Sequence, residues 1–376
     1  MPERVWGPLS RVEHAWDALR RRVKGEAGPQ GAVLHPYFGH GNADALYVRA
    51  RALRRAVPDL PHPAEGGARA EAEAQGRLGT LAAMWRRFET DEVPGVTVRA
   101  AGSRAETDAE GYVRLTLRPD AGSVHGEDPR WRDVTLELEG SDAPGARASA
   151  HVLVPGADAR FAVVSDIDDT IVVTGATDKL RMVPRVLTNP AGARVPFPGV
   201  AAFYAALERG GAEGEADANP VFYVSSGPWN LYDLLVNYMA LQGLPLGPVF
   251  LRDFGLSRSG PIGAGHADHK GKAVSGLMDT YPGLGFVLIG DSGERDPQIY
   301  ADVAEAHRGR VRAVYLRAVT EASAANAGPH VARLEALGVP VRLAPDTAAM
   351  AAHAAAHGLI ARADADAVRS ACAADG

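Results

Sequence analysis

The sequence predicts two parts: an antiparallel β-sandwich domain preceded by an N-terminal helix, then an α/β domain with a doubly wound parallel sheet. Three observations carry this. Up to residue 157, short runs alternate apolar and polar residues between Gly-, Pro- and Asp-rich turns, as half-buried strands do. After Gly156 the runs FAVVSD, VFYVSS, FVLIGD and RAVYLR lose that alternation, as strands buried on both faces do, and helical stretches lie between them. The length of 376 residues also exceeds the usual single-domain size.

Residues 1–30 read as a helix. Leu9, Val12, Trp16, Leu19 and Val23 recur at steps of three and four and so share one face. Ser10 and Glu13 fit a capping box, and Arg20, Arg21, Arg22 and Lys24 favour the negative end of the helix dipole. Such a helix docks on its own protein or lies on an anionic membrane surface. Residues 31–157 form the sandwich: LHPYFG, ALYVRARAL, VTVRAAG, a hairpin turning at Asp108–Gly111 into YVRLTL, then VTLELEG and ASAHVLVPG. The segment 63–80 is weakly patterned and reads as a loop or short helix. Residues 158–376 form the α/β domain. Its helices are expected at Val200–Leu207, Leu231–Leu241, Ala273–Met278 and Asp296–Ala306, followed by a strand VPVRL and a closing helix DTAAMAAHAAAHGLI.

Hydrophobic residues at 46% and charged ones at 23% exclude wholesale disorder. A net charge of −6 argues against nucleic acid as the main partner. The lone Cys372 excludes an internal disulfide and a Cys-based zinc site. No apolar targeting segment stands out, and no stretch approaches the roughly 20 residues that cross a bilayer. The expected location is cytoplasmic, with peripheral membrane contact through the basic helix as a further expectation. His35, His40, His266 and His269 invite a metal reading, but surface or hydrogen-bonded histidine accounts for them.

In open α/β sheets, sites form at the C-terminal ends of strands. VVSDIDDTIV places Asp166, Asp168 and Asp169 where a core strand ends, followed by Thr170. Crowded carboxylates call for a cation, and an all-oxygen set suits Mg²⁺; the alternative is an acidic turn with a cap residue. VFYVSSGPWN brings Ser225, Ser226 and Gly227 to a second strand end, where hydroxyls and N–H groups hold a phosphoryl oxygen or cap a helix. HKGKAVSGL places Lys270 and Lys272 just before a helix, as phosphate neutralisers or as solvated lysines. FVLIGDSGERDPQIY ends a core strand at Asp291 and adds Asp296, a metal ligand or a helix cap.

Together SDIDDTIVVTG, RVPFPGV, VFYVSSGPWNLYDLL, the HK pair and IGDSGERDPQIY resemble the haloacid dehalogenase-like (HAD) superfamily, and within it the App1-type phosphatidate phosphatase family, distantly lipin-like. The resemblance covers about residues 160–320 and, more loosely, the tail to about 362. It implies Asp166 as nucleophile, Asp168 as acid and base, Ser225 and Lys270 (with Lys272 in reserve) as phosphate-holding groups, and Thr170, Ser226 and Gly227 around the substrate. It implies Mg²⁺ on Asp166, the Asp168 carbonyl and Asp291, with Asp296 direct or through water. The flap or small cap at 174–198 carries Lys179, Arg181, Arg185 and Arg194 against the single acidic Asp178, a basic rim for a phosphate ester or an anionic membrane. The expected activity is Mg²⁺-dependent hydrolysis of phosphatidate to diacylglycerol and phosphate. The alternatives are a phosphatase for a soluble phosphomonoester and a non-catalytic phosphatidate-binding module.

Overall fold

The computed structural model describes residues 28–57, 59–63, 92–119, 123–125, 130–168, 170–171, 197–211, 218–252 and 266–375. The expected N-terminal helix up to residue 27, the segment 64–80, the flap up to residue 196 with Lys179, Arg181 and Arg185, and Asp169 lie outside them.

The first part holds strands β1 (Val33–Pro36), β2 (Gly39–Gly41), β3 (Leu46–Leu53), β4 (Thr97–Ala100), β5 (Ser103–Glu106), β6 (Tyr112–Leu117), β7 (Ser123–His125), β8 (Trp131–Leu138) and β9 (Arg147–Leu153). They hydrogen-bond as one nine-stranded network, antiparallel except where β2 runs parallel to β9. The predicted turn forms. Asp108 Oδ1 accepts from the N–H groups of Glu110 and Tyr112, and Gly111 takes the positive φ of 78°. One face of these strands buries Leu46, Val48, Val98, Leu115, Val134 and Leu136 in a core of its own.

The second part holds β10 (Phe161–Asp166), α1 (Val200–Arg209), β11 (Val221–Pro228), α2 (Tyr232–Leu241), β12 (Val249–Arg252), α3 (His266–Thr280), β13 (Gly285–Asp291), α4 (Asp296–Ala306), β14 (Val311–Arg317), α5 (Glu321–Ala336), β15 (Val341–Ala344), α6 (Thr347–Ala356) and α7 (Arg362–Asp375). The six strands run parallel in the order β12-β11-β10-β13-β14-β15. The chain therefore works outward from β10 to one edge, then returns to its other side at β13. Such a reversal opens a crevice at the C-terminal strand ends. Every residue of β10 is buried, as its unbroken apolar run requires.

The two parts share a core. Tyr37, Phe38, Tyr112, Trp131 and Leu153 of the β-rich part belong to the same apolar cluster as the α/β sheet. Polar contacts fix the docking: His35 Nε2 pairs with Asp233 Oδ1 at 2.8 Å, the Phe38 N–H donates to Tyr232 Oη at 2.8 Å, and Arg130 bridges Glu208 at 2.9 Å. The Arg49 guanidinium lies 3.7 Å from the ring centre of Trp229. His40 is wedged among Tyr47, Phe222, Phe250 and Tyr281. No helix of the described residues is long and apolar enough to cross a membrane.

Candidate active site

The parallel register brings three strand ends together. Asp166 closes β10 beside Val224 of β11, and β13 pairs along the other side of β10 up to Ser165 and Ile289. Asp166, Ser225 and Asp291 thus rise from neighbouring strands at one edge of the sheet. All three are buried. Asp168, half-buried one residue beyond Ile167, accepts from Ser225 Oγ at 2.9 Å. The Gly227 N–H in turn donates to Ser225 Oγ at 2.9 Å, so this loop's backbone positions the hydroxyl. Ser226 is half-buried on the same loop. Thr170 Oγ1 donates to Asp166 Oδ2 at 3.3 Å.

Lys270 lies at the centre of the acids. Its Nζ is 2.6 Å from Asp166 Oδ1, 2.8 Å from Glu294 Oε2 and 2.8 Å from Asp296 Oδ1. The helix α3 starts at His266, earlier than expected, so Lys270 and Lys272 lie within it and not before it. Lys270, Val274 and Leu277 face the core, while Lys272 is exposed. Burial opposes the Lys270 charge, yet Asp166, Asp296 and Glu294 outweigh it and hold the ammonium well above its usual pKa.

The acids respond in the opposite sense. Burial pushes Asp166 up, as do the charges of Asp296, Asp168 and Glu294, against the pull of Lys270. Burial, Asp296 and Glu294 raise Asp291 to about 7. Asp296 is raised mainly by burial, with Lys270 opposing. One lysine does not balance this much negative charge, and a further cation would.

The donor set fits a hard divalent ion. Asp166, Asp291 and Glu294 each offer an oxygen, and these atoms lie within 4.8 Å of one another. Asp291 Oδ1 is occupied by the N–H groups of Gly293 and Glu294, whereas its buried Oδ2 has no hydrogen-bond partner among the described residues. An all-carboxylate group with an unsatisfied buried oxygen suits Mg²⁺. Lys270 holds Asp296 Oδ1 at 2.8 Å, and the Asp291 N–H reaches its Oδ2 at 3.3 Å. Glu294 was missed in the sequence. Its signal is an acidic residue in the IGDSGERD loop between the two aspartates.

Two supports also escaped the sequence reading. Ser165 Oγ donates to the Asp166 carbonyl at 2.6 Å and meets Tyr204 Oη at 2.6 Å, fixing the strand end. Gly290 lets α4 approach β13: a Cβ there would stand 2.4 Å from Asp296 Oδ2 and 2.9 Å from Tyr300 Cε2. Of the histidines that invited a metal reading, His35 and His40 serve the domain contact.

Comparison with known proteins bears on the same segment. Residues 161–318 match the family model described as "Phosphatidate phosphatase APP1, catalytic domain". Over 156 residues the chain is 32% identical to "Phosphatidate phosphatase APP1" of Saccharomyces cerevisiae, covering 41% of this chain and 25% of that protein. Over 164 residues it is 29% identical to "Uncharacterized protein C29B5.04c" of Schizosaccharomyces pombe, covering 42% of this chain and 25% of that one. The chain thus spans about a quarter of the length of these curated relatives.

Proposed function

We propose that the protein is a HAD-type, Mg²⁺-dependent phosphatase that hydrolyses phosphatidate to diacylglycerol and phosphate, a reading supported by the match of residues 161–318 to the App1 catalytic-domain model. The observation that carries the reading is the meeting of Asp166, Asp291 and Glu294 donor atoms within 4.8 Å, with Lys270 Nζ 2.6 Å from Asp166.

Asp166 is the nucleophile. The Lys270 ammonium pulls towards the ionised carboxylate against burial and the neighbouring acids, and Thr170 holds its second oxygen. Attack on phosphorus forms the Asp166–phosphate bond and breaks the bond from phosphorus to the glycerol oxygen. Asp168, held by Ser225, gives that oxygen its proton. Asp168 then takes a proton from water as the water attacks phosphorus, the aspartyl–phosphate bond breaks, and Asp166 is restored. Asp166, Asp291 and Glu294 would hold Mg²⁺, which would neutralise the charge between carboxylate and phosphate. Ser226 and Lys270 are the remaining groups near the phosphate. The lipid assignment rests on the S. cerevisiae relative's name and on the basic residues between 171 and 199.

Phosphate release is measured from phosphatidate vesicles and from soluble phosphomonoesters, with Mg²⁺ and with chelator. The expected result is Mg²⁺-dependent release, fastest from phosphatidate, falling about 10³-fold or more in Asp166→Asn and in Asp168→Asn. Activity confined to soluble esters overturns the lipid assignment. Lipid binding without turnover overturns the enzymatic one.

A further inference from the structure

A second group of side chains able to ligate a metal lies in the β-rich part. His62, Asp133 and His151 each offer one ligand atom, and these atoms lie within 4.8 Å of one another. Asp133 and His151 are directly opposed on the antiparallel pair β8–β9, which puts both side chains on one face at a fixed separation. His151 Nδ1 is 2.6 Å from Asp133 Oδ1. His62 comes from the segment 59–63 and sets its ring 4.5 Å from that of His151, edge on. All three are half-buried. Phe38 walls the group on one side, at 6.4 Å from the His151 ring, and Asp59 adds negative charge felt at His151.

We propose that His62, Asp133 and His151 bind a transition-metal dication of the Zn²⁺ class, with water in the fourth position. Two imidazoles and one carboxylate suit Zn²⁺, whereas Mg²⁺ prefers the oxygen-only set around Asp166. The two groups of ligands therefore sort two kinds of ion. The position also suggests what binding does. Trp131, two residues before Asp133, and Phe38 belong to the core shared with the α/β part, and Leu60, two residues before His62, packs against it. The ion would pin the 59–63 segment to β8 and β9 at the rim of the domain contact.

The test is titration of the full-length, chelator-stripped protein with Co²⁺ and Zn²⁺ in saturating Mg²⁺. Binding is followed by the visible absorption of four-coordinate Co²⁺ and by calorimetry. We expect one equivalent to bind, at least tenfold more weakly in His62→Ala and in Asp133→Asn, with far-ultraviolet circular dichroism unchanged. Asp291→Asn should bind as the parent does. Absence of uptake overturns the site. So does uptake unaffected by His62→Ala and Asp133→Asn, or uptake lost in Asp291→Asn.

Discussion

Lys270 sets the charge balance of the carboxylate cluster, and removing it tests that balance directly. Lys270→Met leaves buried Asp166 and Asp296 facing each other with no cation. We expect a loss of about 3–5 kcal/mol in thermal or denaturant melts at neutral pH, together with lost phosphate release. Added Mg²⁺ should return part of the stability but not the activity. Lys272→Met, on the exposed side of the same helix, should change stability by less than about 0.5 kcal/mol. Asp166, Ser225 and Asp291 were legible in the sequence because each closes an apolar run, and a parallel sheet gathers such ends on one edge. The choice between the two lysines was legible too, had the helix been extended back. Lys270, Val274 and Leu277 lie at helical spacing on one buried face. Glu294 was not, because its role depends on a lysine arriving from a different helix.

Close approach between elements makes its own predictions. Gly290→Ala puts a methyl group against the Asp296 carboxylate, so the start of α4 must shift away from β13. Misplacement of that size should cost phosphatase activity about 10²-fold while the protein stays folded, as kinetics beside circular dichroism would show. The strand β2 carries a different sensitivity. Burial among aromatic rings lowers His40 from 6.5 to about 4, so between those values the unfolded chain binds a proton that the folded chain refuses. Stability from this group is complete above pH 6.5, declines as the pH falls through that window, and is gone near 4. His40→Phe should therefore flatten the fall in melting temperature between pH 6.5 and 4, with a difference on the order of 1–2 kcal/mol, since the ring is only part-buried by area. Elements with strong local signals were readable: Asp296–Ala306 was bounded as observed, and the Asp108 turn formed as expected. Those missed had weak ones. β12 is four residues long, α5 holds Pro329 mid-helix, and α7 buries only Val368.

At the scale of the molecule, the docking of the two parts was invisible to local pattern. His35–Asp233 and Phe38–Tyr232 join residues 198 and 194 positions apart. Alternation in LHPYFG predicts a strand but not that Tyr37 will meet Tyr232 with ring centres 4.5 Å apart. Because one apolar cluster serves both parts, the full chain should melt in a single calorimetric transition. A fragment beginning at residue 158 should aggregate or melt well below it, since it bares the surface that Tyr37, Phe38 and Trp131 cover. The same shared cluster has a consequence during synthesis. At roughly 5–20 residues per second, Phe38 leaves the ribosome about 10–40 s before the Tyr232 that covers it. For that interval the newborn β-rich half presents an aromatic face with no cover, a target for chaperones and for neighbouring nascent chains. Slowing translation between the two halves should lower the soluble yield.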